Sequence, residues 1–89
     1  MIRRARKKPV IVEVVKWTGK NFEEIGKFLG DKVRSLSTES NDQILVIETL
    51  EGHMRANVDD WIIKGVKGEF YPCKPDIFAE TYLLMDTKL

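Results

Sequence analysis

The sequence predicts a small α+β domain: a mainly antiparallel sheet of five to six strands, one helix packed on it over about 21–29, and a short C-terminal helix over about 75–81. Three observations lead there. The run from Val10 to Trp17, VIVEVVKW, is β-branched and ends on an aromatic, as a buried strand does. Phe22, Ile25, Phe28 and Leu29 then recur at helical spacing. Beyond them, apolar segments fold back on each other around Glu51-Gly52 and around Val66-Lys67-Gly68, as hairpins require.

Each element has local support. Pro9 precedes the first strand and Thr18-Gly19 follows it. Asn21 is placed to cap the first helix, with Glu24 three residues on reaching back to its amide. Gly30 supplies the left-handed stop. Two turns of helix are not stable alone, so the apolar stripe must lie against the sheet. Lys32 to Leu36 reads as a short edge strand, and STESNDQ over 37–43 as a polar loop.

Ile44 to Val58 is a hairpin in which a two-residue turn at Glu51-Gly52 pairs Leu50 with His53, Glu48 with Arg55 and Ile47 with Ala56. That register puts Leu45, Ile47, Met54, Ala56 and Val58 on the core face and Glu48, Arg55 and Asn57 on the other. Asp59-Asp60 breaks the chain before a second hairpin, Trp61 to Gly65 and Glu69 to Cys73. Two registers are open for it: a three-residue loop with Gly68 left-handed, or a tighter loop that opposes Lys64 to Glu69. Pro75 with Asp76 beside it starts a helix to Thr81, and Tyr82 to Met85 reads as a closing strand.

Composition narrows the class. At 89 residues there is room for one hydrophobic core, with 43% hydrophobic residues against 33% charged. No apolar stretch approaches the ~20 residues that cross a bilayer, and no signal-peptide core follows the basic start, so a cytoplasmic protein with no membrane partner is expected. The single Cys73 fits a reducing compartment. Net charge is +1, but Arg3, Arg4, Arg6, Lys7 and Lys8 hold five of the fifteen basic residues, and all fourteen acids lie beyond them. A basic arm over 1–8 therefore precedes a domain over 9–85 whose balance is acidic, and a frayed tail over 86–89 closes the chain. The arm would meet phosphates or an acidic partner, or serve as a solvated terminus.

Catalytic groups are scarce. One His and one Cys rule out zinc sites built on those ligands within the chain, and no glycine-rich loop fits a phosphate-binding fingerprint. His53 falls at a hairpin turn, where a solvated surface role is expected. Asp59, Asp60, Glu69 and Asp76 fall in one region, but Asp59-Asp60 reads more simply as a turn bonding its own backbone than as a hard-cation site. Cys73 beside Lys74 is either a reactive thiol or a plain half-buried one. The expectation is thus a chain with no catalytic residue, metal or cofactor. The candidate binding residues are Arg3, Arg4, Arg6, Lys7 and Lys8 of the arm, and Lys64, Lys67 and Lys74 around Tyr71, which together would form a small anion-binding rim or a base-stacking face.

The segment DWIIKGVKGEFYPCKPDIFAETY, Asp60 to Tyr82, resembles one found in small proteins encoded by bacteriophages and prophages of Gram-positive bacteria, and RKKPVIVEVVKWTGKNFEEIGKFLG resembles their opening. It is also similar to the PGDYG-type domain, in which a Pro-Gly-Asp turn precedes the Trp or Tyr of a strand. Val58-Asp59-Asp60 stands in that place here, so neither the Pro nor the Gly is kept. The resemblance implies origin and carries over no catalytic residue. The expectation it leaves is a non-enzymatic phage accessory protein that contacts a host or phage macromolecule, a protein first, with counter-defence as one form. Nucleic-acid binding through the arm and binding of a small anion or nucleotide signal are the alternatives. Edge strands also leave self-association open.

Overall fold

A computed structural model describes residues 1–37 and 43–85. In chain order the elements are β1 (Glu13–Lys16), α1 (Phe22–Leu29), a 3₁₀ turn (Gly30–Lys32), β2 (Val33–Ser37), β3 (Ile44–Thr49), β4 (Gly52–Ala56), β5 (Trp61–Lys64), β6 (Phe70–Cys73) and α2 (Pro75–Thr81). The α+β class is as read, and all strand pairs are antiparallel. The six strands divide into two sheets of three, ordered β1-β5-β6 and β2-β3-β4. The loop expected at 37–43 falls largely on residues outside those described, and the tail over 86–89 falls wholly outside them.

The core lies between the sheets and α1. Trp17, Ile25, Leu29, Leu45, Ile47, Ala56, Ile62 and Phe70 form one buried cluster, with Val15, Phe28 and Val33 packed against it. Ile62 faces that cluster, so the alternation along a strand turns Ile63 to the opposite side of the β1-β5-β6 sheet. Ile63 is nevertheless buried, and α2 stacks Phe78 on Trp61, which shares its face. Both faces of β5 are covered, and this is why WIIK is continuously apolar rather than alternating.

Several expectations need correction. The first strand was expected from Val10, but only Glu13 to Lys16 pairs, because β5 ends at Lys64 and the hairpin turns away there. Val10 and Ile11 are therefore exposed. In the β3-β4 hairpin Thr49 pairs with Gly52, Glu48 with His53 and Ile47 with Met54, a slip of two residues from the expected register. Leu50 and Glu51 form the turn, Gly52 takes φ 101° after it, and the Thr49 hydroxyl donates to the Gly52 carbonyl at 2.8 Å. An even slip keeps every side chain on its face, so Leu45, Ile47 and Ala56 are buried as expected. Met54 and Val58 share that face but are exposed, since eight helical residues reach only about 12 Å across it. Glu48 meets Lys32 and Arg34 rather than Arg55, helped by a bulge between Val33 and Ser35 in β2. Tyr82 to Met85 forms no strand, and Leu83, Leu84 and Met85 are exposed.

Other expectations hold. The second hairpin takes the three-residue loop, with Lys64 opposite Phe70 and Gly68 at φ 82°. Pro72 is tolerated because β6 is an edge strand, and α2 runs from Pro75 to Thr81. Asn21 stands at the start of α1, but its side chain does not cap the backbone. Its carbonyl oxygen accepts from the Thr18 amide and hydroxyl, while its amide donates to the Lys16 carbonyl and to Glu24.

The corner between β4 and β5 joins the two sheets. The Trp17 amide donates to the Asp60 carbonyl at 2.9 Å, and the Asp59 amide donates back to the Trp17 carbonyl at 2.6 Å. Asp59 turns this corner at φ 80°, the only positive φ of a non-glycine residue among those described. Left-handed backbone costs an L-residue ~1–2 kcal/mol, less for Asp, against a smaller entropic cost of Gly. The Asp59 ion pair with Lys16, 3.8 Å long and largely exposed, adds little. Asp59→Gly should therefore stabilise by about 0.5 kcal/mol, a Tm rise of about 2–4 °C, whereas Asp59→Ala should lower Tm. Thermal unfolding of both variants is the check, and a D59G protein melting below wild type would contradict the reading.

Candidate functional site

A groove of about 1540 Å³ opens beside the β1-β5-β6 sheet. One wall is the extended chain leading into β1, another is α1 through Glu24, Lys27 and Phe28, and the third is the end of α2 with the residues that follow it. Apolar side chains dominate, among them Val10, Ile11, Phe28, Leu83, Leu84 and Met85. Val10 and Ile11 line it because they overrun their partner strand, and Leu83 to Met85 because they find none. Its charges are balanced, with Lys7, Lys8 and Lys27 against Glu13, Glu24 and Glu69.

The two candidate sets are only partly joined here. From the arm, Lys7 and Lys8 reach the groove, and from the hairpin only Tyr71 does. Arg3, Arg4 and Arg6 are exposed on the chain leading to it. The lysine rim disperses. Lys64 lies 3.9 Å from Glu13 and 6.0 Å from the Phe70 ring centroid, on the face of the sheet opposite Tyr71. Lys67 sits exposed at the hairpin tip, where its backbone amide donates to Glu69. Lys74 binds Asp60, 3.1 and 3.4 Å from the two carboxylate oxygens.

Two site features were not read from the sequence. The first is the ladder of rings ending at Tyr82. Trp61 and Phe78 stack at 4.2 Å and 10°, and Phe78 and Tyr82 at 5.1 Å and 18°. The i, i+4 spacing of Phe78 and Tyr82 along α2 was the available signal. The Tyr82 amide donates to the Phe78 carbonyl at 2.8 Å, and its hydroxyl lies 3.2 Å from that of Tyr71. Burial first, then the bond to Tyr82, raises the Tyr71 pKa well above the ordinary tyrosine value. Lys7 places its ammonium 5.3 Å from the Tyr82 ring centroid.

The second is Asp60, which is 2% exposed. Beyond Lys74, its carboxylate accepts the Asn57 amide at 2.9 Å. The turn reading of Asp59-Asp60 thus holds. The other acids of this region are also occupied locally: Asp59 by Lys16, Glu69 by the Lys67 amide, and Asp76 by the Ile77 amide. Among the described residues, no three His, Cys, Asp or Glu side chains lie close enough to share a metal ion. His53 is exposed on β4, opposite Glu48.

Cys73 is the plain alternative of the two. Burial, then Asp60 and Asp76, push its thiol up from the ordinary value, while the Lys74 ammonium is turned toward Asp60. The thiol faces the Lys74 carbonyl at 3.6 Å. Among the described residues, no helix is long and apolar enough to cross a membrane. No known family model, curated protein sequence or solved structure matches this chain.

Proposed function

We propose that this chain is a non-enzymatic accessory binding protein of phage or prophage origin, working in the host cytoplasm by surface contact with a host or phage macromolecule. The observation that carries this reading is the groove. At about 1540 Å³, it exceeds the ~300–1,000 Å³ of a small-molecule pocket. Its apolar walls and cancelling charges suit a protein partner, whose contact buries apolar residues at the centre and leaves charge at the rim. Blocking a host defence protein is one form such contact would take.

The test is retention of a partner from infected host cells by the wild-type chain and by Ile11→Asp/Leu84→Asp, both exposed positions on opposite walls. A partner retained by wild type and reduced about tenfold or more in the double variant supports the reading. Equal retention, with the variant folded by circular dichroism, rejects it. A second reading, nucleic-acid binding through the basic arm, is favoured by one specific observation: Lys7 already rests on an aromatic face.

A further inference from the structure

We infer that the exposed end of the aromatic ladder is a nucleotide site, in which a base stacks on Tyr82 and the attached phosphate is taken by Lys7 and Lys8. The inference rests on the second reading above and gives it a location. Phe78 covers one face of the Tyr82 ring, and the exposed Lys7 side chain rests its ammonium 5.3 Å from the ring centroid, so a base takes its place as Lys7 swings from the ring to the phosphate. Lys7, Lys8, Tyr71 and Tyr82 line the groove together.

Three features suit a base there. The ladder already runs Trp61, Phe78, Tyr82 with nearly parallel planes, so a base would continue it as a fourth ring. The Tyr82 ring is held by Phe78 on its face, by the Tyr71 hydroxyl at its tip and by the hydrogen bond its backbone amide donates to the Phe78 carbonyl, so little freedom is lost on binding. Lys7 carries a phosphate-binding charge to the ring itself, with Lys8 adjacent. Stacking platforms joined to cations in this way bind single strands without reading sequence. The ligand chemistry is an aromatic base carrying phosphate, which either a single strand or a free nucleotide supplies. Only a strand would extend along the arm to Arg6, Arg4 and Arg3.

Binding of the full chain to a fluorescein-labelled oligothymidylate, to the matching abasic phosphodiester and to ATP separates these outcomes. Wild type should prefer the oligothymidylate over the abasic strand by about tenfold, the scale of one stacked base. Tyr82→Leu should erase that preference and Tyr82→Phe should keep it. Lys7→Ala/Lys8→Ala, on exposed chain where folding is not at stake, should weaken both nucleotide probes. Deleting residues 1 to 6 should weaken only the strand if a strand is the ligand, and neither probe if a free nucleotide is.

Equal affinity for oligothymidylate and abasic strand overturns the site while leaving an electrostatic arm in place. Tyr82→Leu that stays folded and keeps the base preference overturns it as well. No binding of oligothymidylate or ATP at about 100 µM overturns the site and the nucleic-acid reading together, a result distinct from the other two.

Discussion

Replacing Trp17 by alanine should destabilise the protein by about 4 kcal/mol, the scale for emptying a large aromatic from a core. Trp17 is fully buried and stands at the centre of the cluster joining α1 to both sheets, with Ile25, Leu29, Ile47 and Ile62. Its indole N–H also donates to the Gln43 carbonyl at 2.8 Å, fastening β1 to the start of β3. For a domain of this size the whole folding free energy is about 5–10 kcal/mol, so the variant should show a measurable unfolded population in water. Trp17→Phe keeps most of the apolar volume but orphans the Gln43 carbonyl, and should lose about 2 kcal/mol. Urea unfolding of both variants is the measurement. A loss under about 1.5 kcal/mol for the alanine variant would mean that the sheets hold together without the tryptophan.

Legibility from the sequence followed local chemistry and failed where tertiary partners decide. Pro75 and Asp76 mark the start of α2 through their own backbone preferences, and the bounds came out as read. Gly68 at the third loop position gave the second hairpin one of its two allowed registers, and that one is adopted. In the first hairpin the same glycine logic placed Gly52 inside the turn, but a positive φ fits the position after it equally well. The faces survived because the slip is even. Val10 to Val12 carry strand-forming side chains, yet a strand ends where its partner ends, and nothing in VIVEVVKW reports the length of β5.

The site was less legible. Tyr71 is near Lys64, Lys67 and Lys74 in sequence, but a β-hairpin sends alternate residues to opposite faces, and the structure pairs Tyr71 instead with Tyr82, over whose ring Lys7 sits. Those contacts span the chain from the arm to the end of α2. The stacking of Phe78 on Trp61 seats the end of α2 against the sheet where they meet. The burial of Asp60 is hidden in the sequence for a related reason. Its partner Lys74 lies fourteen residues on, across a hairpin, and each residue had a sufficient local explanation.

The Asp60 pair should show the second large effect, with an asymmetry that distinguishes a structural ion pair from two surface charges. Asp60 has a 3% exposed side chain, while that of Lys74 is 52% exposed. Lys74→Met leaves a carboxylate in the interior with the Asn57 backbone amide as its one other partner among the described residues, and uncompensated buried charge is costly, so about 3 kcal/mol should be lost. Asp60→Asn keeps an acceptor for the Asn57 amide and frees Lys74 to turn to solvent, so about 1 kcal/mol should be lost. In the double variant no charge is stranded, and the total should fall below the sum of the single losses by about 1–2 kcal/mol. Additive losses would mean that the two charges act independently, and a Lys74→Met loss under about 0.5 kcal/mol would mean that solvent compensates Asp60. Because the same carboxylate fixes the corner carrying Asp59 and Trp17, the destabilised variants should also lose amide protection at Trp17 and Asp59 before the β3-β4 hairpin opens.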